Sequence, residues 1–469
     1  LEREGLKMVE SSGVESSCAS GVESRRDAES SDSVDSGGIV GGLRANDLKI
    51  LLRLPNWLGD GVMSTPTIEL LKTLFPQARI YLIAPRAILE LFAMDSGIAG
   101  RFEDDTKRAK CRLLATIKLG RKIRASIGAC DIAITLTNHF YSALLLRASG
   151  ARRRIGYVKG LGGLLLSDTL KREKRVHQVL SYAYLLAPLV DSGEFKKGVD
   201  FGEFKKGVDS GEFDKGADLD SGDSFASARA WIDKTIGGLH LAVDSSSANV
   251  ASRANIAHKA LRVGLNPAAA YGDAKRWLPS YFAATAAHFA GLGAEVLIFG
   301  TKGDSELAES IISEARAILD SSAKSQVGSK KDSQTESKID SAKSRAKSTP
   351  ESSARESHII GTGTLINRCG QTDIKGLICE INALDIFISN DSGPMHIAAA
   401  LGVVTIGIFG PTDASETMAW RADNFALISA NLPCAPCKKR TCPLKHHDCM
   451  KRVTPEMVIN LAKDKLGRR

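Results

Sequence analysis

The chain has 469 residues, 43% hydrophobic and 25% charged, which at roughly 100–200 residues per domain allows two to four soluble domains. Only 6% aromatic residues and 14 prolines exclude a Pro-rich linker protein and speak against an aromatic nucleic-acid platform. No run approaches the roughly 18 consecutive apolar residues of a membrane-spanning helix. The formal net charge of +9 favours an anionic partner without choosing between phosphate, nucleic acid and lipid.

The N-terminus lacks the basic-then-apolar order of a signal peptide, so a cytoplasmic chain is expected. In that reducing compartment the nine cysteines are thiols or metal ligands before they are a disulfide framework. Residues 1–46 are rich in Ser, Glu, Asp and Gly, repeat Ser-Gly-Val-Glu-Ser at 12–16 and 20–24, and read as a disordered leader.

A first block, 47–190, opens with the buried-strand run Leu48 to Leu54, then a loop, a helical stretch from Val62 to Leu74 and a strand from Arg79 to Ala84. The pattern recurs with Asp131 to Leu136 and the segment after His139. From Asp191 a nine-residue period sets in, with Gly-Glu-Phe-Lys-Lys-Gly-Val-Asp at 193–200 and 202–209 and a variant at 211–218. Three polar copies are too few for a solenoid, so 191–259 is expected to be a low-complexity insertion or linker. Its Asp218-Leu-Asp220 has the form of a metal-binding Asp-x-Asp and reads as incidental there.

The second block, 260–469, repeats the grammar with strands at Leu261–Leu265, Ala294–Phe299, His358–Ile360, Asp385–Ser389 and Val403–Ile408. The Ser-, Lys-, Asp- and Ala-rich stretch 320–357 is expected to be a solvated insertion. Strand–helix alternation in both blocks predicts an α/β protein of two parallel-sheet domains facing each other across a cleft. Ligands of open parallel sheets bind at the carboxyl ends of the strands, so the chemistry belongs in the strand-to-helix loops.

The first such loop is Pro55-Asn-Trp-Leu-Gly-Asp-Gly61. Asp60 near a helix start reads either as an N-cap, accepting a backbone N–H bond worth about 1 kcal/mol, or as a general base at a strand's carboxyl end. Ser389-Asn390-Asp391-Ser392-Gly393-Pro394-Met395-His396 links a clear strand to an Ala-rich helix. Small residues and orphan N–H groups at a helix start suit a phosphate or diphosphate; Gly-Pro is equally a sound structural helix start, and His396 equally a core residue. The next strand ends in Gly410-Pro411-Thr412, and Lys275 and Arg276 follow the second block's first strand as candidate phosphate cations or as a solvated basic turn. Neither Gly-Lys-Ser/Thr nor Gly-x-Gly-x-x-Gly stands at these strand ends, which disfavours kinase-like and dinucleotide readings.

Cys434 and Cys437, spaced Cys-x-x-Cys, with Cys442 and Cys449, match the ligand count of a structural zinc site; unligated thiols remain the alternative. Lys438, Lys439, Arg440 and Lys445 interleave them.

Taken together, Leu54-Pro-Asn-Trp-Leu-Gly-Asp60, Ala274-Lys-Arg-Trp277, Ser389 to His396, and Phe409-Gly-Pro-Thr412 resemble glycosyltransferase family 9, the bacterial ADP-heptose:lipopolysaccharide heptosyltransferases, and most closely the heptosyltransferase II branch. The resemblance implies a GT-B architecture of two Rossmann-like domains, with acceptor bound by the N-terminal half and donor by the C-terminal half. It implies an inverting, metal-independent transfer of heptose from ADP-heptose to a lipid A–Kdo–heptose acceptor, with no cofactor required. By the same resemblance Asp60 is the base and Lys275 holds the donor phosphates. Asn390, Asp391, Ser392, Gly393, His396, Gly410, Pro411 and Thr412 then line the donor site. The amphiphilic acceptor implies peripheral contact with the inner face of the inner membrane, and Arg152, Arg153, Arg154, Lys159, Lys171, Arg172, Lys174 and Arg175 are candidates to meet the anionic inner core of lipopolysaccharide, or else a solvated basic face. Two readings compete: a GT-B transferase for another nucleotide sugar, or heptosyltransferase I, sharing these loops, and a basic nucleic-acid-binding protein with a C-terminal zinc module. The second lacks any recognition motif, so no nucleic-acid partner is expected.

Overall fold

The computed structural model describes residues 39–40, 43–44, 48–191, 226–242, 260–332 and 363–467. The nine-residue repeats, Asp218-Leu-Asp220, most of the leader and the strand expected at His358–Ile360 lie outside the described residues. The chain divides into two units, Leu1–Ala242 and Val243–Arg469.

In the first unit, Lys49–Arg53 (β1), Arg79–Ala84 (β2), Ile98–Glu103 (β3), Ile132–Thr135 (β4), Arg153–Tyr157 (β5) and Asp168–Leu170 (β6) form one parallel sheet in the order β3-β2-β1-β4-β5-β6. In the second, Arg262–Asn266 (β7), Glu295–Ile298 (β8), Thr364–Asn367 (β9), Ile386–Asn390 (β10), Val404–Phe409 (β11) and Phe425–Ser429 (β12) form another, ordered β9-β8-β7-β10-β11-β12. Both are the doubly wound order, in which the chain reverses direction between the first and fourth strands and opens a crevice at their carboxyl ends. The central strands are apolar without alternation because helices cover both faces: Ile50, Leu51 and Leu52 of β1 and Ile386, Phe387 and Ile388 of β10 are fully buried.

Several expectations change. The stretch from Val62 to Leu74 is two helices, Leu58–Met63 (α1) and Thr65–Leu74 (α2). Pro66 has no N–H for the ladder, and the Ser64 and Thr65 hydroxyls donate instead to the carbonyls of Gly61 and Val62 at 2.6 and 2.8 Å. Asp60 is therefore the third residue of α1, whose N-cap position is Trp57, so the N-cap reading of Asp60 is set aside.

The stretch 191–259 is also not all linker. Ala226–Thr235 (labelled α5 below) packs into the first unit, burying Ile232, Ile236 and Leu241, and Tyr184 donates its hydroxyl to Asp233 at 2.8 Å. Apolar residues four apart put one stripe of the helix against the core. The remaining long helices of the first unit are Arg112–Ile127 (α3) and Phe140–Ala148 (α4). Those of the second are Pro279–Gly291 (α6), Ser305–Asp332 (α7), Ile374–Asn382 (α8), Gly393–Ala400 (α9) and Pro455–Gly467 (α10). Helix α7 runs twelve residues past 320, where a solvated insertion was expected to begin: Ala, Lys and Ser are tolerated within a helix.

Candidate functional site

In the second unit the polar residues at the ends of β7 and β10 are buried, and each is matched. Asn266 donates through Nδ2 to the Ser389 and Ser392 hydroxyls at 3.1 and 2.8 Å. Asn390 accepts from the Trp277 N–H at 2.9 Å and donates to the Pro267 carbonyl at 2.8 Å. Trp277, itself buried, donates its indole N–H to the Val453 carbonyl at 2.7 Å. Buried amide side chains require such partners, and here they lock the loop after β7 to the end of β10.

On this frame Lys275 Nζ donates to Asp391 Oδ2 at 2.7 Å, and Thr412 Oγ1 donates to the same oxygen at 2.6 Å. The ammonium also stands 5.0 Å from the centre of the Tyr271 ring. The solvated-turn alternative for Lys275 therefore fails, because its side chain is 13% exposed and fixed by a carboxylate that is 5% exposed. Arg276 instead turns to Asp273 at 3.3 Å.

Ser392 is the N-cap residue of α9, but its hydroxyl caps no helical N–H; it accepts from Asn266 and lies 3.0 Å from Ser389 Oγ. Gly393 opens the helix, with Pro394 in its first turn, and His396 is buried. The structure thus joins Lys275, Asp391 and Thr412 in one network, beside the separate hydrogen bonds of Ser392 and Asn390.

Gly410 and Pro411 are gripped from behind by the cysteine-bearing loop. Lys438 N–H donates to the Pro411 carbonyl at 2.7 Å, Ala274 N–H to the Arg440 carbonyl at 2.9 Å and Tyr271 OH to the Lys438 carbonyl at 3.0 Å. His447 Nε2 lies 3.1 Å from the Ala274 carbonyl. The approach is close enough to demand glycine at 272, where a Cβ would come within 2.5 Å of the Arg440 carbonyl oxygen. The bracing by residues 438–447 and the role of Asn266 escape the sequence pattern; the one available signal was an Asn closing an apolar strand run.

Cys434, Cys437, Cys442 and Cys449 are free thiols lining one small pocket with His446 and His447. Burial, then the neighbouring Cys442, Cys437 and Cys434, pushes the Cys449 thiol up to about 11. Among the described residues no three His, Cys, Asp or Glu side chains stand where they could hold a metal ion, so the zinc reading rests on the spacing alone.

In the first unit Asp60 lies in the first turn of α1, at the carboxyl end of β1. Burial and then the Asp60 charge hold the phenol of Tyr182 far above its ordinary value, which puts the two groups within electrostatic reach. Arg53, buried at the end of β1, donates through Nη2 to Asn56 at 2.8 Å and to Asp104 at 2.6 Å. Burial lowers the affinity of Arg53 for its proton and Asp104 opposes that; Asp104, though burial raises it, is held below its ordinary value by Arg53 and Thr106.

The arginine run after β4 is less available than its charge suggests. Arg153 pairs with Asp168 at 2.7 Å, and Arg154 donates to the carbonyls of Leu165 and Ala151 at 2.9 and 2.7 Å. Arg172 donates to Gln178 at 2.7 Å, and Arg152 is exposed.

The description "Glycosyltransferase family 9 (heptosyltransferase)" matches residues 117–322 and 343–447. The lipooligosaccharide heptosyltransferase 2 of Campylobacter jejuni serotype O:2 is 29% identical over 421 residues, spanning 89% of this chain and 98% of that protein. The lipopolysaccharide heptosyltransferase 2 of Escherichia coli K12 is 21% identical over 414 residues, spanning 88% and 97%. Among solved structures, E. coli ADP-heptose lps heptosyltransferase II superposes with a TM-score of 0.61 at 20% identity, covering 90% of this chain and 99% of that one. This likeness shows the shared fold.

Proposed function

The chain belongs to glycosyltransferase family 9, the heptosyltransferase family, and on that premise we propose that it transfers heptose from ADP-heptose to a heptose of the lipopolysaccharide inner core. The observation that carries the reading is the fixed Lys275–Asp391–Thr412 constellation at the switch point of the second sheet, in a chain that matches heptosyltransferase 2 relatives over nearly their whole length.

The second unit binds the donor. As the bond from the anomeric carbon to the diphosphate breaks, negative charge grows on the leaving phosphate. Lys275 and the backbone N–H groups at Ser392 and Gly393 meet it, already oriented and partly shielded from water. Asp391 is a positioning residue, because it aims the ammonium and the Thr412 hydroxyl together. Gly410, Pro411 and His396 complete the donor site.

The first unit binds the acceptor. Asp60 takes the proton from the attacking hydroxyl; a helix first turn favours its ionised form, which keeps the base ready near neutral pH. One displacement then inverts the configuration at the anomeric carbon, and the cationic donor site takes the part a metal plays elsewhere. The acceptor's lipid anchor brings the enzyme into peripheral contact with the cytoplasmic leaflet of the inner membrane. In this reading the four cysteines are structural.

The test is donor choice. Supplied in turn with ADP-heptose and with UDP- and GDP-sugars, the enzyme should add a single heptose to a heptosylated lipid A–Kdo acceptor, read by mass. Transfer from another nucleotide sugar in preference would replace the donor assignment.

A further inference from the structure

Between Thr106 and Ser167 the sequence carries thirteen Lys and Arg residues and one carboxylate, Asp131. This segment also presents apolar side chains to solvent: Leu114 is 64% exposed, Leu161 73% and Leu164 83%, with Leu113, Phe140 and Val158 also exposed. They form one face. The Arg112 guanidinium at the start of α3 stacks 4.0 Å from the centre of the Tyr141 ring at the start of α4. Phe140 meets Tyr141 edge to face, and Gly162, in the turn Gly160–Leu165, sits so near α4 that a Cβ there would lie 3.5 Å from Phe140 Cα. The turn therefore projects Leu161 and Leu164 beside Phe140.

Cations surround this face. His139, at the N-terminus of α4, is held below its ordinary value by burial and then by Lys159, Lys107, Arg112 and Arg53, so these charges converge on one place. Of the carboxylates just before it, Asp104 is occupied by Arg53, while Glu103 and Asp105 are exposed.

Large aliphatic side chains left in water inside a ring of cations match the boundary of an anionic bilayer: the cations lie at the headgroups and the leucines reach the acyl chains. Scattered exposed leucines are ordinary, but a cluster on a short turn within a carboxylate-poor segment is not. We propose that this face of the first unit docks on an anionic lipid bilayer, with Leu161 and Leu164 entering it and Lys107, Arg112 and Lys159 meeting the headgroups. This deepens, and rests on, the reading of a membrane-anchored acceptor, since it sets the acceptor-binding unit against the leaflet that holds the substrate.

The experiment is sedimentation of the full chain with phosphatidylcholine vesicles, with and without phosphatidylglycerol, for the wild type, Leu161→Ser/Leu164→Ser and Lys107→Glu/Lys159→Glu. Heptose transfer to a delipidated acceptor is measured alongside. Wild type should partition ~10-fold more strongly onto the anionic vesicles, and each double variant should lose that gain, Leu161→Ser/Leu164→Ser while keeping its rate on the delipidated acceptor. Equal partition of wild type and both variants, or equal binding to neutral and anionic vesicles, overturns the proposal. So does a dimer abolished by Leu161→Ser/Leu164→Ser without vesicle binding, which would assign the face to self-association. Absence of heptose transfer by every form, with vesicle binding intact, would instead refute the enzymatic reading and leave the lipid face standing.

Discussion

The Lys275 ammonium and the Asp391 carboxylate are joined at 2.7 Å in a largely buried pair at the carboxyl end of the second sheet, with Thr412 donating to the same carboxylate oxygen. Because Asp391 cannot turn toward water, the pair fixes where the cation stands before any ligand arrives. Lys275→Ala should then do two things. It leaves a buried carboxylate without its cation, costing about 3 kcal/mol in urea unfolding, and it raises the KM for ADP-heptose while lowering kcat. Loss of stability with unchanged donor kinetics would make the pair purely structural.

Asp60 makes the opposite prediction. In the proposed role of base it would touch the acceptor hydroxyl alone, so Asp60→Asn should lower kcat by ~10² or more while ADP-heptose affinity, measured by calorimetry, stays within about two-fold. A variant with the wild-type rate would remove Asp60 from the mechanism.

Asn390 ties Trp277 and Pro267 to the end of β10. Asn390→Ala strands a buried N–H and a buried carbonyl, each at about 1–3 kcal/mol, and should lower stability by about 2–4 kcal/mol. Since the frame positions Lys275, the KM for ADP-heptose should rise as well. Unaltered KM in a destabilised but folded variant would show that the frame does not set the cation's position.

The central strands were legible in the sequence for a physical reason: β1, β2, β10 and β11 are buried on both faces and read as unbroken apolar runs. Edge strands were not. In β3 only Ile98 and Phe102 are buried, and β12 has the same mixed pattern, because one side of an edge strand meets no neighbour. Strand β5 was hidden by its arginines, which reach back to carbonyls and to Asp168 and so read as free basic surface. At the site, the residue types and their loops were readable. That Lys275 is paired, that Asp60 lies inside a helix, and that the cysteine loop grips Ala274 and Pro411 are tertiary facts that no local pattern encodes.

Asp104 gives a pH prediction. Burial raises its proton affinity, but Arg53 and Thr106 outweigh it and hold the carboxyl below its ordinary value. With the folded value below the unfolded one, the stabilisation is full above the unfolded pKa and is lost as pH falls through the folded one. Stability should therefore decline below about pH 4, and Asp104→Asn, less stable at pH 7, should decline less over that interval in denaturant titrations. Parallel slopes for the two proteins would exclude the pair as a source of acid sensitivity.

The central claim is transfer of heptose onto an existing core heptose, and the most direct measurement is ADP release from ADP-heptose in the presence of EDTA. Two acceptors are compared, lipid A–Kdo carrying one heptose and the same acceptor carrying none. The account predicts turnover on the heptosylated acceptor alone, undiminished by the chelator. Turnover on the bare acceptor, or on neither, would contradict it.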